Sequence, residues 1–137
     1  MNHWIIALPR EHMEHCIQIG KFGLNRKHIL GRVEKGDKVA CYITKEYKII
    51  ALGEVTEPYY IDDSKVFKAE GLFIDRFDFR AKQLPKDQEI DFMSVIDQMS
   101  FIKSLANWQV HFRSAIVQIA KSDWDLISNE AQKIPAS

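Results

Sequence analysis

The chain has no apolar run approaching the ~20 residues that a membrane-spanning helix requires, so a transmembrane reading is set aside. It has only two cysteines, Cys16 and Cys41, each inside an apolar pattern, and these offer no disulfide framework. The opening MNHWIIALPREH lacks a basic front and a small-residue cleavage site, so no signal peptide is read and a cytoplasmic setting is expected. Repeats, low-complexity tracts and Pro/Gly/Ser-rich linkers are missing, which points to residues 1–137 forming one domain around one core. Net charge is also missing: 19 Lys and Arg balance 19 Asp and Glu, which argues against a protein that coats nucleic acid through sheer positive charge. Phosphate-cradling glycine loops, GxSxG, HExxH and paired CxxC are all absent. The expectation is therefore a chain that is no enzyme and carries no metal or cofactor.

The zero total conceals an uneven distribution. Residues 21–48 hold eight bases against three acids, and residues 54–97 hold eleven acids against six bases. Either the first segment presents a basic face, or the surface is solvated and merely uneven.

Periodicity then places the elements. HWIIAL at 3–8 reads as a strand closed by Pro9, and EHMEHCIQIG reads as an amphipathic helix stopped by Gly20. Residues 21–33 read as a loop with at most one short helix. EKGD is a turn, and it opens a hairpin with strands near 38–44 and 48–57, bent at 45–48 and ended by Pro58. FIDRFDFRAKQL alternates Phe77, Phe79 and Ala81 against Arg76, Asp78, Arg80 and Lys82, a half-buried strand. Phe92, Val95, Ile96 and Met99 have helical spacing; VHFRSAIVQIA after Trp108 looks extended; Ser122 is placed as the N-cap of a last helix. Strands dominate, and a small mixed barrel with helices outside it fits best, an α+β class.

Few residues suggest chemistry. His12, His15 and Cys16 share the first helix, but without a second ligand pair elsewhere they make a poor zinc site. Asp62 and Asp63 are neighbours, which seldom converge on one substrate, and are read as capping a turn. His111 is a possible general base with no marked nucleophile, and more often such a histidine is structural. The aromatics stand out more. If 108–113 is a strand, Trp108, Val110 and Phe112 point one way and Gln109, His111 and Arg113 the other. Trp108 would then lie near a rim, where an indole can stack on a planar ligand.

The order HW, FG, GDKVACYI, ALGEVTEPYYID, FRSAIVQIA and DWDLI resembles the EVE domain, over nearly the whole chain and closest to its short stand-alone archaeal and bacterial members. The resemblance implies a PUA-like mixed β pseudobarrel of about five or six strands with flanking short helices, akin to YTH and ASCH domains. It further implies a nucleic-acid-binding module that captures a flipped, modified nucleobase of DNA or RNA, with stacking worth roughly 1–3 kcal/mol per base. By the same resemblance Trp4, Phe22, Gly23, Asn25, His28, Tyr42, Trp108, His111, Arg113 and Ser114 are the candidate base-pocket residues. Lys21, Arg26, Lys27 and Arg32 are the candidate phosphate contacts. Phe22 stands where many members carry tryptophan, and His28 where asparagine is common. Arg113 either holds a phosphate, braces the pocket loop, or pairs with an acid of 54–97. Two other classes stay open: a small hydrolase or nucleotide-processing enzyme using His111 with Asp62 or Asp63, and a protein-interaction adaptor of a modification or restriction system.

Overall fold

A computed structural model describes the chain except residues 26, 103–107, 110, 111, 113 and 133–137. Its centre is one mixed sheet, β1 His3–Leu8, β2 Lys21–Leu24, β3 Lys38–Ile43, β4 Lys48–Ile61, β5 Asp75–Gln83, β6 Ile90–Asp91 and β7 Ile116–Ile119. The strands lie in the order β2-β5-β4-β3-β1-β7, with β6 added to β4, and the sheet curls into a half-barrel. Among the described strands β1 and β3 are the pair that runs parallel; the chain between them carries helix α1 Arg10–Ile19, strand β2 and the single turn α2 Lys27–Leu30. The third helix, α3, spans Lys121–Gln132.

Both faces of the sheet are covered, which is why β1 is buried at all six positions rather than alternating. Trp4, Ile6, Leu8, Val39, Cys41 and Ile43 face a first core beneath α1 and α2. Ile5, Ala7, Ala40 and Tyr42 face a second, closed by Phe92, Val95, Ile96, Met99, Trp108, Phe112 and Ile127. Gly20 ends α1 in the left-handed conformation, its N–H donating to the Cys16 carbonyl at 2.8 Å, as its position suggests. The 45–48 bend is also present, with Lys45 and Tyr47 at positive φ.

Several local expectations are corrected. Residues 21–24 form a strand, because Phe22 finds Phe77 as its cross-strand neighbour on β5. Pro58 does not end β4, which runs on to Ile61; the register to β5 shifts between Glu57 and Tyr60, where a missing N–H is tolerated. Arg76 is fully buried instead of facing water. Residues 92–98 make two 3₁₀ turns rather than one helix, and Trp108, Gln109 and Phe112 lie in 3₁₀ geometry rather than a strand. Ser122 lies inside α3; the buried Asp123 carboxylate instead reaches back to accept from the Ala120 N–H and from Ser100. Asp62 caps no helix: it accepts from the Ser64 N–H two residues on, an Asx turn. Among the described residues no helix is long and apolar enough to cross a membrane.

Candidate functional site

The sheet divides the residues proposed from sequence into two groups. Trp4 and Phe22 are fully buried in the first core, and the Trp4 indole N–H is already taken by Asp37. Tyr42 and Trp108 are 2% and 5% exposed in the second core, on the opposite face. Tyr42 stacks on Phe112 at 4.4 Å, and Trp108 packs against Tyr47, Phe92 and Phe112. Trp4 and Phe22 offer no open face for stacking in this structure, whereas Trp108 still lines a hollow of about 360 Å3 with Met93, Ser94, Ile96 and Asp97, and Tyr42 one of about 230 Å3 with Thr44, Lys45, Tyr47, Gln109 and Phe112. Ser114 donates to the Ile116 carbonyl and shapes the entry to β7. His111 and Arg113 lie outside the described residues, as does Arg26; Lys27 and His28 belong to the α2 turn.

Gly23 and Asn25 do converge, on a feature the sequence did not single out. A cleft of about 290 Å3 opens between the start of α1 and the long β4–β5 loop, lined by Pro9, Glu11, His12, Lys68 and Ala69. Behind it the His12 ring lies 5.9 Å from Phe67 and 5.7 Å from Phe73, and those two rings meet edge to face. Gly23 makes this possible: a Cβ there would come within 2.8 Å of the Phe67 ring and of the Phe73 backbone. Asn25 holds the loop from the β2 side by accepting from the Ile74 N–H, and His15 holds it from α1 by accepting from the Lys68 N–H. Arg76 secures it from below, donating to the carbonyls of Ser64, Leu72 and Phe73 and to the Ser64 hydroxyl, with its guanidinium over Phe67. A loop of 62–74 fastened at so many points is a preorganised wall.

The polar chemistry of the cleft resides in His12. Its Nε2 lies 3.7 Å from the Cys16 sulfur, while Nδ1 is buried and is the one such side-chain atom without a hydrogen-bond partner among the described residues. An unmet buried nitrogen costs on the order of 1–3 kcal/mol. Burial, then the nearby His15 and Lys65, hold the His12 pKa below the ordinary imidazole value. The ring is therefore neutral at pH 7, and Nδ1 donates or accepts according to its tautomer. Burial pushes the Cys16 thiol up to about 12, so it stays protonated and is no nucleophile. His15 is committed to the loop backbone, and no metal-ligating group of three or more side chains forms among the described residues.

Two described bases of the segment 21–48 are engaged within the fold. Lys21 Nζ is bound to the Tyr60 hydroxyl at 3.1 Å and to Asp78, which raises its pKa and occupies it within the sheet; this corrects its role as an open phosphate contact. Arg32 donates to Gln118 at 2.9 Å, beside Asn2 and away from the cleft. Lys68 is the exposed cation that lines the cleft, and it lies in the acidic half of the sequence. Phe67, Phe73 and Lys68 were missed because they lie far from α1 in the chain and carry no motif, and His12 was weighed only as a poor zinc ligand. The available signal was His12 four residues before Cys16, a spacing that puts its ring on the side of the helix that is buried.

With this geometry in view, relatives can be compared. The EVE domain family model matches residues 2–130. A UPF0310 protein of Pyrococcus horikoshii is 32% identical over 140 residues, spanning 93% of this chain and 97% of its own. The human THYN1 protein, solved in complex with 5-methylcytosine-containing DNA, superposes with a TM-score of 0.64 at 14% identity, covering 98% of this chain and 100% of its own. The YTH domain of the Zygosaccharomyces rouxii MRB1 protein, solved with N6-methyladenosine RNA, gives 0.64 at 10% identity, covering 97% of this chain and 88% of its own. At such identities the two structures speak to the fold alone, a PUA-like pseudobarrel. The matched model spans nearly all of the sequence, and the chain belongs to the EVE domain family.

Proposed function

We propose that this protein is a non-catalytic nucleic-acid-binding module that takes an extruded, modified nucleobase into the cleft between α1 and the β4–β5 loop. The observation that carries the reading is the His12 ring, which lines a cleft of nucleobase scale, is backed by the Phe67 and Phe73 rings, and keeps its enclosed Nδ1 without a partner. A base lifted from its stack needs an apolar surface, a hydrogen bond to its edge and a cation near its phosphate. Here the His12 ring with Pro9 and Ala69 supplies the surface, a turn of that ring would bring Nδ1 to the base edge, and Lys68 supplies the cation, while the Phe67 and Phe73 rings support His12 from behind. Structures of the same fold with 5-methylcytosine DNA and N6-methyladenosine RNA support a nucleic-acid partner of this kind. At 290 Å3 the cleft is at the small end of ligand sites, which suits one base better than a larger cofactor. The same fold comparisons favour binding over the hydrolase alternative, for which Asp62 is already engaged by Ser64 and Arg76.

The test is binding of short DNA and RNA oligonucleotides, unmodified or carrying 5-methylcytosine or N6-methyladenosine, to the wild type and to His12→Phe at two salt concentrations. The wild type should bind one modified oligonucleotide in preference to its unmodified twin. His12→Phe keeps a ring in the cleft and should lose that preference. Failure of the wild type to bind any oligonucleotide at low salt would end this reading.

A further inference from the structure

On the far face of the sheet, away from His12, lies a shallower groove of about 420 Å3. It is built from cross-strand partners: Lys38, Glu54 and Arg80 line up across β3, β4 and β5, and Lys82 pairs with Leu52 in the next row. Trp124 of α3 forms its other wall, half-buried with one side against the second core and 6.0 Å from the His3 ring. The single carboxylate, Glu54, is already bound by Arg80 at 3.1 Å, so the three cations leave the lining positive. A wall with an aromatic face opposite a row of cations is the arrangement that tracks a single strand, stacking a base while neutralising phosphates.

We infer that this groove is a second contact for a single-stranded segment of the nucleic acid, with a base on Trp124 and phosphates on Lys38, Arg80 and Lys82. The inference rests on the nucleic-acid-binding reading given above and assigns a surface that reading does not use. Nine steps along β4, a contour of roughly 30 Å, lead from Leu52 in the groove to Ile61 at the cleft loop. Only a strand of several nucleotides could reach both, so this groove should contribute length dependence and the His12 cleft discrimination.

The experiment measures anisotropy of labelled unmodified single strands of roughly 5 and roughly 20 nucleotides with the full chain, Trp124→Ala and Lys82→Glu. The wild type should bind the longer strand about tenfold more tightly, and Trp124→Ala should remove most of that gain. Lys82→Glu, at an exposed site, should weaken long-strand binding and lower its salt slope by about 0.7 or more. Both variants should keep the wild-type preference for a modified base. Wild-type binding that neither variant changes would overturn the groove while leaving the cleft intact. A mononucleotide that binds the groove as tightly as the long strand would overturn the strand assignment. Absence of all binding by the wild type would remove both sites together.

Discussion

The Trp4 indole N–H donates to the Asp37 carboxylate at 2.9 Å, joining the first strand to the turn before β3 inside the first core. The same carboxylate accepts from the Asn2 and Glu34 backbone N–H groups, and Asp37 is 1% exposed. Replacing it strands three donors, one of them on a fully buried ring. Asp37→Ala should lower the unfolding free energy by roughly 2–4 kcal/mol, read as a fall in the urea midpoint. A loss below about 0.5 kcal/mol would show that water reaches these donors.

Trp108 packs on three rings, so its loss should be felt first in stability. Trp108→Ala removes a ring packed on Tyr47, Phe92 and Phe112, and should cost about 3–5 kcal/mol. Where the variant is still folded, base preference should be that of the wild type. Selective loss of binding at unchanged stability would return Trp108 to the ligand.

Gly23 should tolerate no side chain. Its absent Cβ would sit within 2.9 Å of the Phe73 Cβ and within 2.8 Å of the Phe67 ring. Gly23→Ala should destabilise by about 1–3 kcal/mol and weaken base binding by displacing the cleft wall. A variant of normal stability and affinity would mean the β4–β5 loop yields freely.

Arg76 should govern the loop more than the core. Its guanidinium satisfies carbonyls at 64, 72 and 73 that no strand partner reaches. Arg76→Met keeps the stem and removes the donors. Amide exchange over 62–74 should accelerate well before that of β1 or β3, and uniform acceleration across the sheet would show that Arg76 supports the whole fold.

Acid should loosen the molecule through its histidines before its carboxylates. Burial is the first cause holding both His12 and His3 below the ordinary value, so the folded state binds a proton less readily than the unfolded chain. Their stabilising contribution is complete above about pH 6.5 and is lost as pH falls below it toward the depressed folded values. The carboxylates with lowered values, Glu46 beside Arg10 and Asp62 beside Ser64, begin to lose theirs only near about pH 4. The urea midpoint should drop between about pH 7.5 and about pH 5.5, and His12→Gln should reduce that drop. An identical drop in the variant would assign the effect to other groups.

What could be read from the chain alone was whatever depends on neighbours in sequence. The alternation of 77–82, the Gly20 stop, the bend at 45–48 and the order of motifs resembling the EVE domain are local patterns, and each is present in the structure or in the family match. Local pattern failed where a distant partner set the energy. Phe22 became a strand residue because β5 lay beside it, Arg76 went inside because a loop offered it carbonyls, and Trp108 closed a second core because the sheet is covered on both faces. The cleft is the extreme case. His12, Gly23, Asn25, Phe67 and Phe73 meet only after β2 pairs with β5 and the loop folds back over α1, so no spacing along the chain records their contact. The sequence determined which elements exist and which family they compose; the tertiary structure decided which side chains are sealed and which remain available to a ligand, because burial is set by the whole sheet and not by any one strand.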